Sequence, residues 1–386
     1  VKRRLTDQQS RRIRSAKKEK ERDVLANLGE EQIGLVVSHF GNTLEVESQK
    51  GGGERFRCHA RQNLGPIVVG DRVVFCETTE GNSERGLVTA RQERTSLLMR
   101  PDVYKQQKEI AANVDQMFIT MAAEPEVVPY FIDKYLVAAE LQKIKPILLF
   151  NKSDLLTPEA FSKSVLLMET YRKIGYEALH VSIYPNLRQK NLSQEKLSQK
   201  KIIKEGVAGD LNNDFEETSV QSLIALRSLL RGKTSIFVGP SGVGKSALTN
   251  VLLGAERALV GEISAQNQKG CHTTTRSSLY HLPSFPISSP QEGSDGSVTR
   301  VGAGSPGNII DSPGIREFGL WNITKEQAAL GFVEFQGFLG RCKFRDCKHV
   351  ETPGCALDIG VRENKISPLR LANFHRLLGE IQKFQG

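Results

Sequence analysis

The chain has 386 residues, of which 39% are hydrophobic, and its 53 Lys plus Arg against 44 Asp plus Glu give a formal net charge of +9. That length allows two or three domains, and the basic balance suits anionic partners such as RNA. No apolar run approaches the roughly 20 residues of a membrane-spanning helix, which excludes a helical membrane protein.

Residues 1–30 read as a basic tail, in which Lys2, Arg3, Arg4, Arg11, Arg12, Arg14, Lys17, Lys18, Lys20 and Arg22 are opposed only by Asp7, Glu19, Glu21 and Asp23. Such a run has too little apolar surface to fold alone and is drawn to phosphate backbones by counterion release. A solvated tail is the competing interpretation, and the acidic residues weaken that of an organelle transit peptide. Residues 31–95 follow as an all-β domain, with short strands expected at 33–37, 43–46, 55–60, 72–76 and 87–90. Gly41-Asn42, Gly51-Gly52-Gly53 and Gly70-Asp71 supply turns. Five short strands fit a small barrel, with Arg55, Arg57, His59, Arg61 and Arg72 giving positive charge beside Phe40 and Phe56. Cys58 and Cys76 read as ordinary small residues.

Residues 94–101 read as a linker into an α/β domain spanning 96–320, which opens with a buried strand at 114–120 and a helix at 131–142. The apolar run 146–150 delivers Asn151-Lys152-Ser153-Asp154 at a strand's carboxyl end, where open α/β sheets bind ligands. A carboxylate at Asp154 can accept from both N1-H and the exocyclic amine of guanine, a donor pair that adenine lacks. By themselves these four residues also fit a turn with a helix cap. A further strand ends at His180-Val181-Ser182, where Ser182 takes the place of a loop contacting guanine through backbone N-H, although Ile183-Tyr184 departs from the usual continuation. The polar stretch 184–217 and the Ser-, Gly- and Pro-rich stretch 286–307 read as mobile insertions.

The apolar run 234–238, then Gly239-Pro240-Ser241-Gly242-Val243-Gly244-Lys245-Ser246, then a helix from Ala247, is a strand, phosphate loop and helix in the required order. Backbone N-H groups of 239–247, Pro240 excepted, would surround phosphate oxygens, Lys245 would reach the β- and γ-phosphates, and the Ser246 hydroxyl would ligate Mg²⁺. A short strand at 308–310 ends at Asp311-Ser312-Pro313-Gly314, where Asp311 can hold the metal through water and the Gly314 N-H can sense the γ-phosphate. The guanine-type loop thus precedes the phosphate loop, the reverse of the ordinary GTPase order. Such a permutation is harmless to the fold, since an α/β domain opened in one exposed loop and closed in another keeps its strand neighbours. The segment after Gly314 then runs straight into the C-terminal region, so nucleotide state is expected to be passed there.

In residues 321–386, Cys342, Cys347, His349 and Cys355 stand in a C-x4-C-x-H-x5-C spacing, a donor set for one closed tetrahedral structural zinc site. Disulfide pairing is the weaker alternative. A final helix begins at Ser367-Pro368, with Leu371, Phe374, Leu377, Leu378 and Ile381 along one face.

These residues resemble the circularly permuted ribosome small-subunit-dependent GTPase A (RsgA, or YjeQ) family. The resemblance rests on the permuted order, residues 239–246, Gly270-Cys271-His272-Thr273-Thr274-Thr275, Asp311-Ser312-Pro313-Gly314-Ile315-Arg316-Glu317-Phe318-Gly319-Leu320 and the cysteine cluster. It implies a multi-domain chain: an N-terminal OB-fold barrel, a central circularly permuted α/β GTPase domain and a mainly helical zinc-binding C-terminal domain. It also implies a GTPase, stimulated by the small ribosomal subunit and its rRNA, that acts late in subunit assembly. Thr274 is the expected second Mg²⁺ ligand, ahead of Thr273 and Thr275. Ile315 occupies the place of the usual water-positioning Gln, and the family points to His272 for that task, with Lys245 stabilising charge. A cytoplasmic monomer exchanging GTP and GDP is expected. A metabolic phosphotransferase and a nucleotide-gated RNA-binding module with incidental hydrolysis are the rival functions.

Overall fold

In this computed structural model, residues 28–41, 43–50, 52–78, 85–101, 107–183, 213–254, 277–284, 306–312, 323–350 and 352–385 are described. The basic tail up to residue 27, most of the two insertions, the switch residues Cys271, His272, Thr273, Thr274 and Thr275, and Gly314 lie outside them. The described residues form two compact units.

The first unit is a five-stranded barrel of β1 (Leu28–Phe40), β2 (Thr43–Ser48), β3 (Arg55–Ala60), β4 (Arg72–Thr78) and β5 (Arg85–Arg91). Their order is β1-β2-β3-β5-β4, and β1 closes the ring by pairing with β4 as well. One long strand serves two partners because its register shifts between Val36 and Ser38, a bulge that bends it around the barrel. Every second side chain of β2 is buried, as a closed sheet requires. Val36, Val46, Phe56, Cys58, Val73, Phe75 and Val88 fill the interior. Gly34 lies in that wall, where a Cβ would overlap Val46 and press within 2.9 Å of Phe75. Phe56 is therefore core, 6% exposed and 5.3 Å from the Phe75 ring, and cannot stack on a ligand beside the arginines. Arg57, His59, Arg61 and Arg72 are exposed, as is Phe40 at 39%. Cys58 is buried in the barrel core, and burial pushes its thiol up to about 12.

The segment expected to be a bare linker contains β6 (Leu97–Pro101), which pairs with β7 (Gln107–Ala112) as a two-stranded sheet. The second unit is built on a parallel sheet of β8 (Gln116–Met121), β9 (Lys145–Phe150), β10 (Glu177–His180), β11 (Thr234–Val238) and β13 (Asn308–Asp311); in the chain β13 is preceded by β12 (Ser278–His281), whose first two residues belong to the first unit. Its parallel strands run in the order β10-β9-β8-β11-β13. All six residues of β8 are buried, the pattern of a parallel strand covered on both faces. Helix α1 (Pro129–Leu141) joins β8 to β9, α2 (Pro158–Arg172) joins β9 to β10, α3 (Asn213–Leu230) leads into β11, and α4 (Lys245–Leu253) follows it. Helix α3 begins inside the stretch read as insertion. At the end of the other insertion, Gly307 is packed so closely that a Cβ would overlap the Leu230 carbonyl.

Helices α5 (Lys325–Leu330), α6 (Ala356–Arg362) and α7 (Pro368–Gln385) form the C-terminal module. A capping box between Thr324 and Gln327 starts α5. The module shares one apolar cluster with α1: Tyr130 and Val137 pack among Phe332, Phe335, Leu371, Phe374 and Leu377. Among the described residues, no helix is long and apolar enough to cross a membrane.

Candidate nucleotide site and metal centre

Four loops meet at the carboxyl ends of the parallel strands: Asn151 follows β9, Ser182 lies just beyond β10, Gly239 follows β11, and Asp311 ends β13. Ligand sites of open α/β sheets form at this edge. Asn151 is fully buried, and its Nδ2 donates to the Val243 carbonyl at 2.9 Å. Lys152 Nζ donates to the Gly242 carbonyl at 2.8 Å. Two motifs more than 80 residues apart in sequence are thus interlocked by side chains of one holding the backbone of the other. Lys152 adopts a left-handed backbone, φ 59°, a conformation non-glycine residues keep chiefly where surrounding contacts enforce it. Asn151 Oδ1 is buried with no hydrogen-bond partner among the described residues, the kind of orphaned acceptor that marks a ligand site.

Glycine is needed at two points of the phosphate loop. Gly239 has φ 134°, and a Cβ there would overlap the Thr120 carbonyl oxygen; Gly244 has φ 90°, and a Cβ would lie 2.5 Å from Asn151 Nδ2. Lys245 Nζ folds across the loop, donating to the carbonyls of Gly239 and Pro240 at 2.8 and 2.6 Å. Val243 is buried beneath it. Gly244 caps α4, so the positive end of the helix dipole opens toward the loop, a setting that favours anions. Lys245, Ser246, Thr249, Asp311 and Ser312 line one cleft with Phe237 and Ile310.

On the other side, the Ser182 hydroxyl donates to Asp154 Oδ1 at 2.5 Å, and Ser153 N reaches the Val181 carbonyl at 3.3 Å. Ser182 thereby contacts the guanine-type loop through its side chain, although the residues after it depart from the usual pattern. Two residues earlier, His180 sits between the rings of Phe150 and Phe161 and shares a 2.9 Å hydrogen bond with Ser164 of α2. The Ser164 hydroxyl also lies 2.7 Å from the Phe161 carbonyl, to which it donates when His180 carries its proton on Nε2. Burial, with the charge of Arg172, pulls His180 down to about 4. His180 was not singled out by its sequence position, since a lone His at a strand end carries no distinctive pattern.

The cysteine cluster is also assembled. His349 Nδ1 lies 3.5, 3.7 and 3.6 Å from the sulfurs of Cys342, Cys347 and Cys355, and all four donor atoms lie within 4.8 Å of one another. His349 adopts φ 56° to turn inward, its carbonyl accepts from His375 Nε2 at 2.5 Å, and the Ala356 N-H donates to Cys342 Sγ at 3.3 Å. Four converging donors of this kind could hold a metal ion.

The family model of the RsgA GTPase matches residues 91–210 and 190–290. The small ribosomal subunit biogenesis GTPase RsgA of Marinobacter nauticus is 38% identical over 379 residues, covering 97% of this chain and 92% of its own. The chain belongs to the RsgA GTPase family. The RsgA of Proteus mirabilis is 40% identical, over 98% of this chain and 95% of its own. Among solved structures, YjeQ from Thermotoga maritima aligns with a TM-score of 0.62 at 26% identity, covering 92% of this chain and 99% of its own. YloQ, a circularly permuted GTPase, aligns with a TM-score of 0.59 at 19% identity over 92% and 96%, a likeness of fold. This RsgA-family chain is a GTP hydrolase whose permuted order is spatially restored, since β8, β9 and β10 flank β11 on the side opposite β13.

Proposed function

We propose that this GTPase hydrolyses GTP on the small ribosomal subunit, as a late assembly factor, in the cytoplasm and as a monomer. The observation that carries the nucleotide chemistry is the pair of bonds from Asn151 and Lys152 to the phosphate loop, which fixes the distance between base site and phosphate site. Asp154, steadied by Ser182, reads the guanine N1-H and amine. The backbone of Gly239, Pro240, Ser241, Gly242, Val243 and Gly244 surrounds the phosphates, continuing through Ser246 and Ala247. Lys245 exchanges its carbonyl partners for the β- and γ-phosphate oxygens and stabilises charge on the transferred group.

Ser246 and Asp311 line the same cleft and offer hard oxygen donors, a set that fits Mg²⁺. Held by these two residues, the ion would supply positive charge against the negative charge of the nucleotide phosphates. Thr274 as a further ligand and the Gly314 N-H as γ-phosphate sensor rest on the sequence motifs, and His272 as the group orienting water rests on the family resemblance; all three lie outside the described residues. For the Cys342, Cys347, His349 and Cys355 cluster we assign one structural Zn²⁺. Zn–S near 2.3 Å and Zn–N near 2.05 Å at a tetrahedral angle imply an S···N edge of about 3.6 Å. The three edges to His349 Nδ1 are 3.5, 3.7 and 3.6 Å.

The small subunit as client is supported by the names of the relatives, the net charge of +9 and the exposed Arg57, His59, Arg61 and Arg72 of the barrel, which suit an rRNA backbone. Binding of GDP and ADP and turnover of GTP and ATP, measured in the parent and in Lys245→Ala and Asp154→Ala, test the nucleotide roles. Guanine-selective binding lost in Asp154→Ala and turnover lost in Lys245→Ala are expected. ATP hydrolysed as well as GTP would refute the assignment.

A further inference from the structure

Arg370, near the start of α7, is 0% exposed although nothing in the nucleotide chemistry employs it. Its Nε and Nη2 donate to the two carboxylate oxygens of Glu334 at 2.7 and 2.8 Å, and Nη1 donates to Asp133 Oδ1 at 2.7 Å. Asp133 belongs to α1. The Tyr171 hydroxyl of α2 donates to the same Oδ1 at 2.8 Å, and Asn373 Nδ2 donates to Oδ2 at 2.7 Å. The guanidinium also lies over the Phe332 ring, 4.4 Å from its centroid. One planar, forked cation thus joins the C-terminal module to the two helices that follow β8 and β9.

An apolar cluster surrounds this network, so packing alone could hold the module in place. Burying two carboxylates and a guanidinium adds little net stability over apolar side chains of the same volume, but it admits a single arrangement of its members. What that arrangement fixes is visible in α2. The helix begins four residues after Asp154, and its Ser164 meets His180, two residues before the Ser182 that holds Asp154. Helix α2 therefore braces Asp154 from both sides, and the Asp133–Arg370 network braces α2.

We propose that Arg370 is a positioning residue for guanine recognition: through Asp133 and Tyr171 it fixes α1 and α2, and with them the loop 151–154, against the C-terminal module. The proposal rests on Asp154 accepting from the guanine amine. The module leaves the sheet after β13 but is fastened to the half that precedes β11, so it straps together the two halves that the permutation places in reversed order.

The test is the preference for GDP over IDP, measured by equilibrium binding to the full-length, zinc-loaded chain in the parent, Arg370→Lys and Tyr171→Phe. Inosine lacks the amine that donates to Asp154, so the ratio of the two dissociation constants reports the placement of that carboxylate. Tyr171→Phe removes one hydroxyl from a packed ring and keeps the fold should Arg370→Lys fail to do so. The expected result is a preference lowered about fivefold in each folded variant, because GDP, with two donors to Asp154, is weakened more than IDP, which keeps only N1-H. A preference equal to the parent's in the folded variants overturns the proposal, because a merely structural Arg370 leaves the ratio unmoved. A parent that binds GDP and IDP equally is a separate failure, since it removes the guanine role of Asp154 itself.

Discussion

Arg370→Met should be among the most destabilising single substitutions outside the phosphate loop. The change keeps an unbranched apolar stem but removes the guanidinium, and it leaves two carboxylates, Asp133 and Glu334, with side chains 2% and 7% exposed and no cation between them. Three charge-assisted hydrogen bonds are lost at once. Breaking a buried pair by removing one partner costs about 3–5 kcal/mol, most of it the uncompensated charge. The loss should depend on pH. In the parent, burial pushes the Asp133 carboxyl up, and Arg370, Asn373 and Tyr171 pull against it. Without Arg370 the upward push is less opposed, so Asp133 takes up a proton more readily in the folded variant. A carboxyl raised above its unfolded value contributes stability that is present below the unfolded value and fades as pH rises through the folded one. The deficit of Arg370→Met should therefore be smaller at pH 5 than at pH 8. Urea unfolding followed by far-ultraviolet circular dichroism at both pH values measures it, with loss of bound zinc reporting the C-terminal transition separately. A deficit below about 1 kcal/mol at both pH values would refute the assignment of a tightly buried charge network.

Three further outcomes follow from single residues. Gly239→Ala forces a β-carbon onto the Thr120 carbonyl at φ 134°, so it should cost roughly 2–4 kcal/mol and weaken GDP binding at least tenfold. Gly254→Ala, at φ 57° with open space around it, should cost only about 1 kcal/mol, as urea unfolding and nucleotide titration would show. His180 is held neutral with a value lowered from 6.5 to about 4, so its contribution is complete above pH 6.5 and is lost as pH falls toward 4. The parent should accordingly lose about 2 kcal/mol more than His180→Gln between pH 7 and pH 5, and equal losses would contradict this. Elemental analysis should give one zinc per chain in the parent and almost none in Cys342→Ser, whose C-terminal module should unfold at lower urea.

The barrel strands were legible because alternation and glycine turns are local signals: the expected strand 55–60 coincides with β3. Position within a closed barrel is not local, which is why Phe56 was set among the basic residues when the pleat turns it inward. The strand ends that carry residues 151–154 and 239–246 were legible because each follows a short apolar run, and β9 and β11 end where those runs do. What the motifs could not show was their interlock, since the bonds from Asn151 and Lys152 to Val243 and Gly242 cross more than 80 residues of chain. The β6–β7 pair was missed because Arg94 and Pro101 bound a run too short to show a period. Arg370 had a signal: it falls on the same helical face as Phe374, Leu377, Leu378 and Ile381, where a cation must find buried partners. Its partners Asp133 and Glu334 lie 237 and 36 residues away, beyond any sequence pattern.

The most direct test of the account is GTP turnover by the purified chain alone, with small ribosomal subunits and with large ones, at several salt concentrations and with ATP as control. The account predicts slow turnover alone, strong stimulation by small subunits only, and stimulation that weakens as salt rises. Equal stimulation by both subunits, or none by either, would contradict it.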